Sequence, residues 1–399
     1  MSYRKIGDLI QLVDVRNKDL SITHLVGLTI NKKFIPSVAN TIGTDMSNYK
    51  IIRKNQFACS TMQVRRDKKM PVALLKQLDV AIISQAYPVF EVIDEKELLP
   101  EYLMLWFSRS EFDREACFHA VGGVRGSLEW EDFCNMELPV PSIEKQREIV
   151  AQYQAVANKI KVNEQICENL EATAQTLYKQ WFVDFEFPNE EGKPYKSSDG
   201  AMVHNQELEK EIPEGWEVDY ISEYVKLSQG LAVNASTQHY IQKEGIPLLR
   251  ITDLINNTKE IFISDKVDKN VIASESDIIV TRTGQVGLVF RNKIGVVYNN
   301  CFKAYPKNGL NPEVLYWFLK TKEMFHIMNY LASGSSAQLD LTHKQFYTIK
   351  YLLANCDVQR KFEKYVSAIG NNLNILDKQN QKLTQLQSLL LSRLATLEG

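Results

Sequence analysis

The sequence predicts a mixed α/β fold (α+β) in which a long antiparallel two-helix coiled coil separates two globular domains, related as a pseudo-twofold tandem repeat. First, apolar residues recur every three or four positions from Ile149 to Trp181, a spacing typical of coiled-coil helices. Second, the same pattern returns 213 residues later, from Phe362 to Leu394. Third, short β-branched runs separated by Gly and Asn precede each helical pattern, as expected of strands and turns.

Length and composition are those of a globular protein. The chain has 399 residues, enough for two or three domains, with 44% apolar and 24% charged residues. It lacks a run of about 18 apolar residues and the apolar core of a signal peptide, so we expect no membrane span and a cytoplasmic protein. The six cysteines form no Cys-x-x-Cys pair, which favours reduced thiols over a disulfide scaffold or a metal site.

Charge is strongly segregated although the net charge is only −2. Residues 1–78 contain 14 Lys and Arg against 5 Asp and Glu, residues 79–137 contain 4 against 13, and residues 184–223 contain 3 against 12. A basic face can coexist with acidic segments, so the near-neutral total does not exclude nucleic acid as a partner. It does not establish binding either, because a basic surface alone is more often solvated than functional.

The first globular domain is assigned to residues 1–141. Its sequence predicts strands near 49–52, 57–61 and 81–84 and a helix at 100–112 that opens with Pro followed by Glu. Residues 142–185 form spacer helix 1, because two prolines fix an extended entry and Ser142 can cap the first turn. Residues 149–181 alone would span about 50 Å as a helix.

An acidic connector rich in turn residues is predicted at residues 186–220. The second domain, residues 221–353, shows strand-like runs near 246–251, 277–282 and 287–290 and a helical pattern at 312–330. Spacer helix 2 is assigned to residues 354–399, where Asp357 can act as the N-cap.

The repeat extends beyond the helices. Glu101-Tyr-Leu-Met-Leu-Trp-Phe aligns with Glu313-Val-Leu-Tyr-Trp-Phe-Leu at an offset of 212, and the same offset places Gly122 on Gly334. No short solenoid period fits this order, so the repeat is a duplication of a whole domain. If the helices pair antiparallel, the two domains lie at opposite ends of a rod.

The apolar seams of the two helices either pair with each other or pack on their own globular domains, and the long polar outer faces favour mutual pairing. Asn163 and Asn380 fall in the seams, where a polar residue often sets the register at some cost in stability. The predicted coiled-coil seam consists of Ile149, Tyr153, Val156, Ile160, Asn163, Leu170, Leu177, Phe362, Val366, Ile369, Leu373, Leu376, Asn380, Leu383, Leu390 and Leu394.

Several stretches together resemble the specificity subunit of type I restriction–modification systems, and the resemblance covers nearly the whole chain. Each stretch is weak alone, but the combination is specific. They are Leu138-Pro-Val-Pro-Ser-Ile-Glu-Lys-Gln-Arg-Glu-Ile, Trp181-Phe-Val-Asp-Phe-Glu-Phe-Pro, Ile212-Pro-Glu-Gly-Trp, Gly245-Ile-Pro-Leu-Leu-Arg-Ile-Thr-Asp-Leu and Asp277-Ile-Ile-Val-Thr-Arg-Thr-Gly-Gln-Val-Gly.

The resemblance implies that residues 1–141 and 221–353 are target-recognition domains, each reading one half of a bipartite site in double-stranded DNA. It implies that the spacer helices act as a ruler and dock two methyltransferase subunits, through which restriction and translocase subunits join. The chain itself would carry no cofactor, and S-adenosylmethionine, ATP and Mg²⁺ would bind the partner subunits. Because the halves are diverged copies, we expect an asymmetric site.

In the first half, DNA contacts are predicted at Arg53-Lys54 and at the basic run from Gln63 to Lys69. Lys and Arg position phosphates, whereas Arg reads guanine and Gln or Asn reads adenine through paired hydrogen bonds. The glycine-rich loop 122–127 permits close backbone approach to DNA, but a plain turn fits as well. The candidate residues are Arg53, Lys54, Gln63, Arg65, Arg66, Lys68, Lys69 and Arg125.

In the second half, the loop after a predicted strand resembles a family loop near DNA. Arg250 and Arg282 are candidates, although both could instead form internal ion pairs with Asp253 or Asp277. The loop that aligns with the glycine-rich loop of the first half adds two serines and a glutamine. The candidates here are Arg250, Arg282, Thr283, Gln285, Ser335, Ser336 and Gln338.

No catalytic motif is found. An adenine methyltransferase needs an Asn- or Asp-Pro-Pro-aromatic motif and a P-loop motor needs Gly-Lys-Ser or Gly-Lys-Thr, and neither occurs. Three hypotheses follow. A non-catalytic DNA-recognition subunit is favoured; a fused restriction–methylation enzyme lacks its motif; and a coiled-coil adaptor that binds proteins but no DNA is the third.

Overall fold

The computed structural model describes residues 3–37, 43–121, 126–333 and 338–396. The chain divides into two compact units: the first comprises Met1–Asn163 with Gln379–Gly399, and the second comprises Glu164–Lys378. Each unit therefore contains one globular part and a segment from each of two long helices. Among the described residues, no helix is both long and apolar enough to cross a membrane.

The first unit is built from short antiparallel strands and four short helices. A four-stranded sheet in the order β2-β9-β6-β7 is accompanied by the pairs β1-β10, β3-β4 and β5-β8. The elements are β1 Tyr3–Lys5, β2 Ile10–Val13, β3 Val26–Leu28, β4 Phe34–Pro36, β5 Lys50–Arg53, β6 Phe57–Cys59, α1 Val64–Asp67, β7 Val72–Leu74, β8 Val80–Ile83, β9 Val89–Val92, α2 Pro100–Phe107, α3 Ser110–His119, α4 Trp130–Asn135 and β10 Glu137–Pro139.

An aromatic cluster forms the core of the first unit. Phe57 of β6 stacks on Phe90 of β9 with ring centroids 5.0 Å apart, and Phe107, Phe112 and Phe133 pack around them. All five side chains are buried. Such rings supply much of the hydrophobic stabilisation of a core. The core therefore fixes the two central strands against the helices that follow them.

The first long helix, α5 (Ile143–Phe182), leads from the first unit into the second. The second unit then contains β11 Met202–Asn205, β12 Lys210–Pro213, β13 Glu217–Tyr220, β14 Val225–Gln229, β15 Ile241–Gln242, β16 Ile246–Leu249, α6 Ile251–Asn256, β17 Phe262–Ile263, β18 Ile272–Ala273, β19 Ile278–Thr281, β20 Val289–Phe290, β21 Gly295–Val297, β22 Cys301–Pro306, α7 Pro312–Leu319, α8 Lys322–Ala332, α9 His343–Phe346 and β23 Lys350–Leu353. The second long helix, α10 (Cys356–Arg393), returns the chain to the first unit.

Two larger sheets form most of the β structure in the described part of the second unit. One has the order β14-β22-β19-β20, and the other has the order β15-β17-β16-β21-β18. The β16-β21 pair is parallel, whereas the remaining strand pairs of these sheets are antiparallel. This arrangement agrees with the predicted mixture of α and β structure.

The segment at 186–220 is more regular than the predicted connector. It contains the hairpin β11-β12, and β13 pairs with β23 over four residues. Phe187 and Trp216 are buried in the core of the second unit, with stacked rings 5.4 Å apart. The sequence does not predict this structure, because acidic and turn residues dominate the segment and its buried aromatic residues are isolated.

The two helices predicted at 100–112 and 312–330 are each divided in two. Residue Arg109 is extended between α2 and α3, and Thr321 is extended between α7 and α8. The Thr321 hydroxyl accepts a hydrogen bond from the Met324 amide, which is an N-cap that starts a new helix. Apolar periodicity carried over both breaks, so the pattern alone could not reveal them.

The long helices contact each other in antiparallel orientation within each unit. In the first unit, Val150 shares a core with Leu394, and the Asn163 side-chain amide donates to Asn380 Oδ1 at 2.8 Å. In the second unit, Trp181 contacts Phe362 with ring centroids 5.8 Å apart, while Cys167 and Leu373 line one cavity. As the position advances along α5, its partner thus moves back along α10.

The predicted seam residues are buried or half-buried throughout. The fully buried members are Asn163, Phe362, Val366 and Leu394, and the half-buried members are Ile149, Tyr153, Val156, Ile160, Leu170, Leu177, Ile369, Leu373, Leu376, Asn380, Leu383 and Leu390. The polar seam pair Asn163 and Asn380 is hydrogen-bonded, although Asn163 Oδ1 itself is buried without a partner. A buried amide pair of this kind disfavours other registers.

Candidate nucleic-acid interface

The basic run of the first unit forms a short exposed turn. Strand β6 ends at Cys59, and α1 begins at Val64, whose side chain is fully buried. Gln63 and Lys68 flank α1 in the left-handed region, with φ of 63° and 53°. The buried valine anchors the turn, so the four basic side chains beside it project into solvent. These are Arg65, Arg66, Lys68 and Lys69, which we call the basic turn.

The glycine-rich loop lies directly against the basic turn. The Arg65 amide donates to the Gly126 carbonyl at 3.2 Å, and the Leu128 amide donates to the Thr61 carbonyl at 2.9 Å. Residues 122–125 lie outside the described residues, so the position of Arg125 is not described. Two segments separated by about sixty residues in the sequence therefore meet at one place.

A buried carboxylate holds the far end of the basic turn. Asp113 Oδ1 accepts a hydrogen bond from the Met70 amide at 3.1 Å and an ion pair from Lys32 Nζ at 2.8 Å. Burial lowers the pKa of Lys32 below its ordinary value, while the charge of Asp113 opposes that shift. Lys32 also lies 5.0 Å from the centre of the Phe112 ring. The anchor therefore connects the basic turn to helix α3.

Arg53 and Lys54 occupy a different position. Arg53 ends β5 and Lys54 follows it, shortly before β6 begins, whereas the basic turn follows β6. The two predicted groups therefore lie at opposite ends of β6. Lys54 Nζ is 3.6 Å from Asp79 Oδ1, with both side chains mostly exposed. The structure does not bring these two residues into the basic turn.

In the second unit the predicted loop after β19 pairs with the loop after α8. The Gly284 amide donates to the Leu339 carbonyl at 2.9 Å, and the Leu341 amide donates to the Arg282 carbonyl at 2.8 Å. This places Gln338 beside Thr283 and Gln285, and both glutamines are exposed. Ser335 and Ser336 fall in 334–337, outside the described residues.

Arg282 holds this loop from inside. Its Nη2 contacts both carboxylate oxygens of Asp340, at 2.7 and 2.9 Å, and its Nε donates to the Leu341 carbonyl at 3.1 Å. The Thr283 hydroxyl donates to the same carboxylate at 2.7 Å. The partner of Arg282 is thus Asp340, whereas Asp277 lies by Lys303 instead. These charge-assisted hydrogen bonds from two of its nitrogens hold the Arg282 side chain in one orientation.

Arg250 is engaged in internal ion pairs. Its guanidinium contacts Asp253 at 2.6 and 3.0 Å and Glu260 at 2.6 Å, at the start of α6. These hydrogen bonds raise the pKa of Arg250 above its ordinary value. The structure thus shows the internal pairing with Asp253 that the sequence left open.

Sequence reasoning missed Gln229 and Asn300. Gln229 Oε1 lies 3.4 Å from Arg282 Nη1, and its amide donates to the Asn299 carbonyl at 2.7 Å. The Asn300 carbonyl accepts from the Arg282 and Thr283 amides at 2.8 and 3.3 Å. The residues that contact the Asn299-Asn300 turn come from distant strands, so the sequence carries no signal that brings them together.

The two units share one hydrogen-bond pattern at these loops. In each, the segment after a central strand receives an amide hydrogen bond from the leucine that follows the glycine-containing loop: Leu128 to Thr61, and Leu341 to Arg282. The first loop pair carries lysine and arginine, and the second carries glutamine. Over the described parts of the chain, no cluster of three metal-ligating side chains was found.

Comparison with known proteins bears on this site. The family model for the type I restriction modification DNA specificity domain matches residues 2–172 and again residues 213–385. The HindI specificity subunit of Haemophilus influenzae is 24% identical over an alignment of 431 residues, gaps included, which covers 92% of each chain. The MjaIX specificity subunit of Methanocaldococcus jannaschii is 30% identical over 205 residues, which cover 49% of this chain and 44% of that relative.

A solved structure shares the fold. The S subunit of a type I restriction–modification system from M. genitalium aligns with a TM-score of 0.56 and 16% identity, covering 100% of this chain and 96% of that one. The two family matches confirm the predicted tandem duplication and the resemblance drawn from the sequence. The chain belongs to the type I restriction–modification DNA specificity family and is a specificity subunit with two recognition domains, a non-catalytic member of such systems.

Proposed function

We propose that this subunit recognises an asymmetric, bipartite site in double-stranded DNA, with residues 1–141 and 221–353 each reading one half. The observation that carries the proposal is the shared loop pair. Both units hydrogen-bond two distant loops into one exposed surface, yet the side chains presented differ. A common scaffold with different side chains is what two unlike half-sites require.

The chemistry of each surface supports a division of roles. In the first unit the basic turn positions phosphates, with Gln63 and Arg125 reading base edges, while Arg53 and Lys54 contact the backbone further along. In the second unit Gln285 and Gln338 read base edges, with Ser335 and Ser336 contacting phosphates. Arg282 and Thr283 frame that loop, and Arg250 fixes the neighbouring helix.

The long helices, within 142–185 and 354–399, set the distance between the half-sites and dock two methyltransferase subunits. Restriction and translocase subunits join through these, and S-adenosylmethionine, ATP and Mg²⁺ are bound there. The complex works in the cytoplasm. The antiparallel pairing and the hydrogen-bonded Asn163 and Asn380 support a fixed register for such a spacer.

The test is a domain exchange read out by mapping methylated adenines in a host that expresses the system. Replacing residues 1–141 with the recognition domain of another specificity subunit should change one half-site and leave the other and the spacer intact. The matched control replaces residues 221–353 and should change only the opposite half. Simultaneous change of both halves after either exchange would contradict the proposal.

Affinity supplies a second measurement. Phosphate contacts make duplex binding fall steeply as salt rises, with a slope near −0.9 for each contact. Neutralising Lys68 and Lys69 to glutamine should reduce that slope by about 2 for the complex with its methyltransferase. Neutralising Lys193, whose exposed side chain pairs with Glu191 at 2.8 Å, is the control that should leave the slope unchanged.

A further inference from the structure

Two aromatic side chains are conspicuously exposed. Phe118 in α3 has 84% of its surface accessible and Tyr330 in α8 has 79%, more than any other large hydrophobic residue in the described parts of the chain. Leaving an aromatic side chain in water forfeits about 1.5–3 kcal/mol of burial. Neither helix needs the residue for its own packing, so the exposure calls for another explanation.

The two aromatics occupy equivalent positions in the repeat. The offset of 212 that aligns Glu101 with Glu313 also aligns Phe118 with Tyr330. The buried faces agree as well: Phe112 and Ala116 in α3 correspond to Met324 and Met328 in α8, and all four side chains are buried. Each aromatic lies two residues past the buried face, on the solvent side of its helix. Two diverged copies thus present a ring at one place.

Each ring lies near the end of the helix that leads into one of the two hydrogen-bonded loops of its unit. Helix α3 ends one residue after Phe118, and the chain then enters the loop that reaches Arg65 through Gly126. Helix α8 ends two residues after Tyr330, and its loop reaches Gly284 through Leu339. One helical turn earlier, at equivalent positions, lie the exposed side chains Arg114 and His326.

We infer that Phe118 and Tyr330 stack against bases of the bound duplex, one ring in each half-site. The inference rests on the proposed function and adds to it a non-polar contact in each recognition surface. Every base offers a π face, and apolar wedges inserted between base steps are an established way to hold DNA. The basic turn, which is hydrogen-bonded to the loop that follows α3, provides charge that fits a polyanion rather than an apolar protein surface. Arg114 can contact the phosphate that flanks the ring.

The test uses the full chain in complex with its methyltransferase and duplexes that carry the site found by methylation mapping. Phe118→Ala and Tyr330→Ala should each weaken binding about 5- to 100-fold. Phe118→Tyr and Tyr330→Phe should restore wild-type affinity. Ile93→Ala and Ile294→Ala remove side chains that are 55% and 58% exposed elsewhere on the two units, and they should have no effect.

Duplexes with 2-aminopurine at successive positions locate the contact. The wild-type complex should increase the fluorescence at one position in each half-site, because an inserted ring separates neighbouring bases. Phe118→Ala should abolish only the signal in the half read by residues 1–141, and Tyr330→Ala only the other. Unchanged affinity and fluorescence in both alanine variants would overturn the inference alone. So would loss of the methyltransferase subunit from either variant on size-exclusion chromatography. A wild-type complex that fails to bind duplex would overturn the proposed function as well.

Discussion

Single residues hold the predicted recognition loops in place through partly buried hydrogen bonds and ion pairs. Asp113 is the clearest case, because one nearly buried carboxylate accepts the Met70 amide and neutralises Lys32. Arg282 has the corresponding role in the second unit through Asp340. These residues are invisible as anchors in the sequence, since their partners lie 43 to 81 positions away.

Replacing Asp113 by alanine should destabilise the protein. The change removes the carboxylate that neutralises the buried Lys32 ammonium, which keeps only the Phe107 carbonyl as a partner, and it removes the acceptor of the Met70 amide. We therefore expect a loss of about 3–5 kcal/mol. Asp113→Asn keeps an acceptor for the amide and should lose less. The measurement is urea unfolding of the purified chain. Asp79→Ala, which breaks an exposed pair with Lys54, is the control and should cost about 0–1 kcal/mol.

The cysteines should separate by exposure and by pKa. Cys356 is exposed, whereas Cys59 and Cys301 are buried. Burial raises the pKa of Cys59, and it raises the pKa of Cys301 to about 12. Thiolates are the reactive form, so Cys356 should react with an alkylating reagent at pH 8 while Cys59 and Cys301 react only after unfolding. Peptide mass spectrometry resolves the three sites. Rapid labelling of Cys301 in the folded chain would contradict this.

The raised pKa of Cys301 also makes the stability of the folded state depend on pH. Below the unfolded thiol pKa of 9.0 the thiol is protonated in both the folded and the unfolded state, so it does not change the free energy of unfolding. As pH rises from about 9 towards 12, only the unfolded state releases the proton, so stability falls. The difference in unfolding free energy between wild type and Cys301→Ala should therefore shrink over that interval.

At the scale of elements, the globular part of the second unit packs closely against α10 at one glycine. Gly370 of α10 faces Arg291, and a Cβ at this position would overlap Nη2 of that arginine. Arg291 cannot easily withdraw, because it pairs with Glu313 at 2.6 Å and lies 4.0 Å from the Tyr316 ring centre. Lys293 and Lys378 add ion pairs with Asp377 and Glu275 respectively.

Gly370→Ala should therefore destabilise the chain although alanine is the better helix former. The propensity gain is about 1 kcal/mol, and we expect overpacking to exceed it, for a net loss of about 1–2 kcal/mol. In an Arg291→Ala background the clash is absent, so the same substitution should become neutral or stabilising. Chemical denaturation of the four variants gives the coupling energy. Equal effects of Gly370→Ala in both backgrounds would exclude this close packing.

The elements also differ in how well the sequence predicts them. The helical period fixed the course of α5 and α10, because one apolar stripe along a helix leaves a signal in the order of residues. The breaks at Arg109 and Thr321 left no such signal, since the apolar spacing runs across them. The sequence of 186–220 predicts only a connector, because the core contacts of this segment depend on isolated aromatic residues. The candidate loops were found, but their meeting at Gly126 and Leu339 depends on the folded topology.

At the scale of the whole molecule, the helices offer a direct test of spacing. Inserting one heptad after Asn163 and one before Asn380, with apolar residues at the seam positions, preserves this hydrogen-bonded pair. Seven residues add about 10.5 Å of helix, which corresponds to about three base pairs. We expect methylation mapping to show the same two half-sites with a spacer about three base pairs longer.

The control places a heptad in α5 alone, which disrupts the pairing of the two seams. It should reduce stability and abolish methylation without creating a new spacer. An unchanged spacer after the double insertion would count against the helices as a measure of distance between half-sites.

The last residues of the chain complete the unit that the first residues begin. Leu394 is almost fully buried in the core formed by residues 3–163, Leu391 packs on the same core, and the Tyr3 hydroxyl donates to the Ala395 carbonyl at 3.0 Å. A chain that ends before Leu391 therefore lacks part of the hydrophobic core of its first unit. Nonsense mutations and premature termination in this region should therefore yield polypeptides that proteases remove.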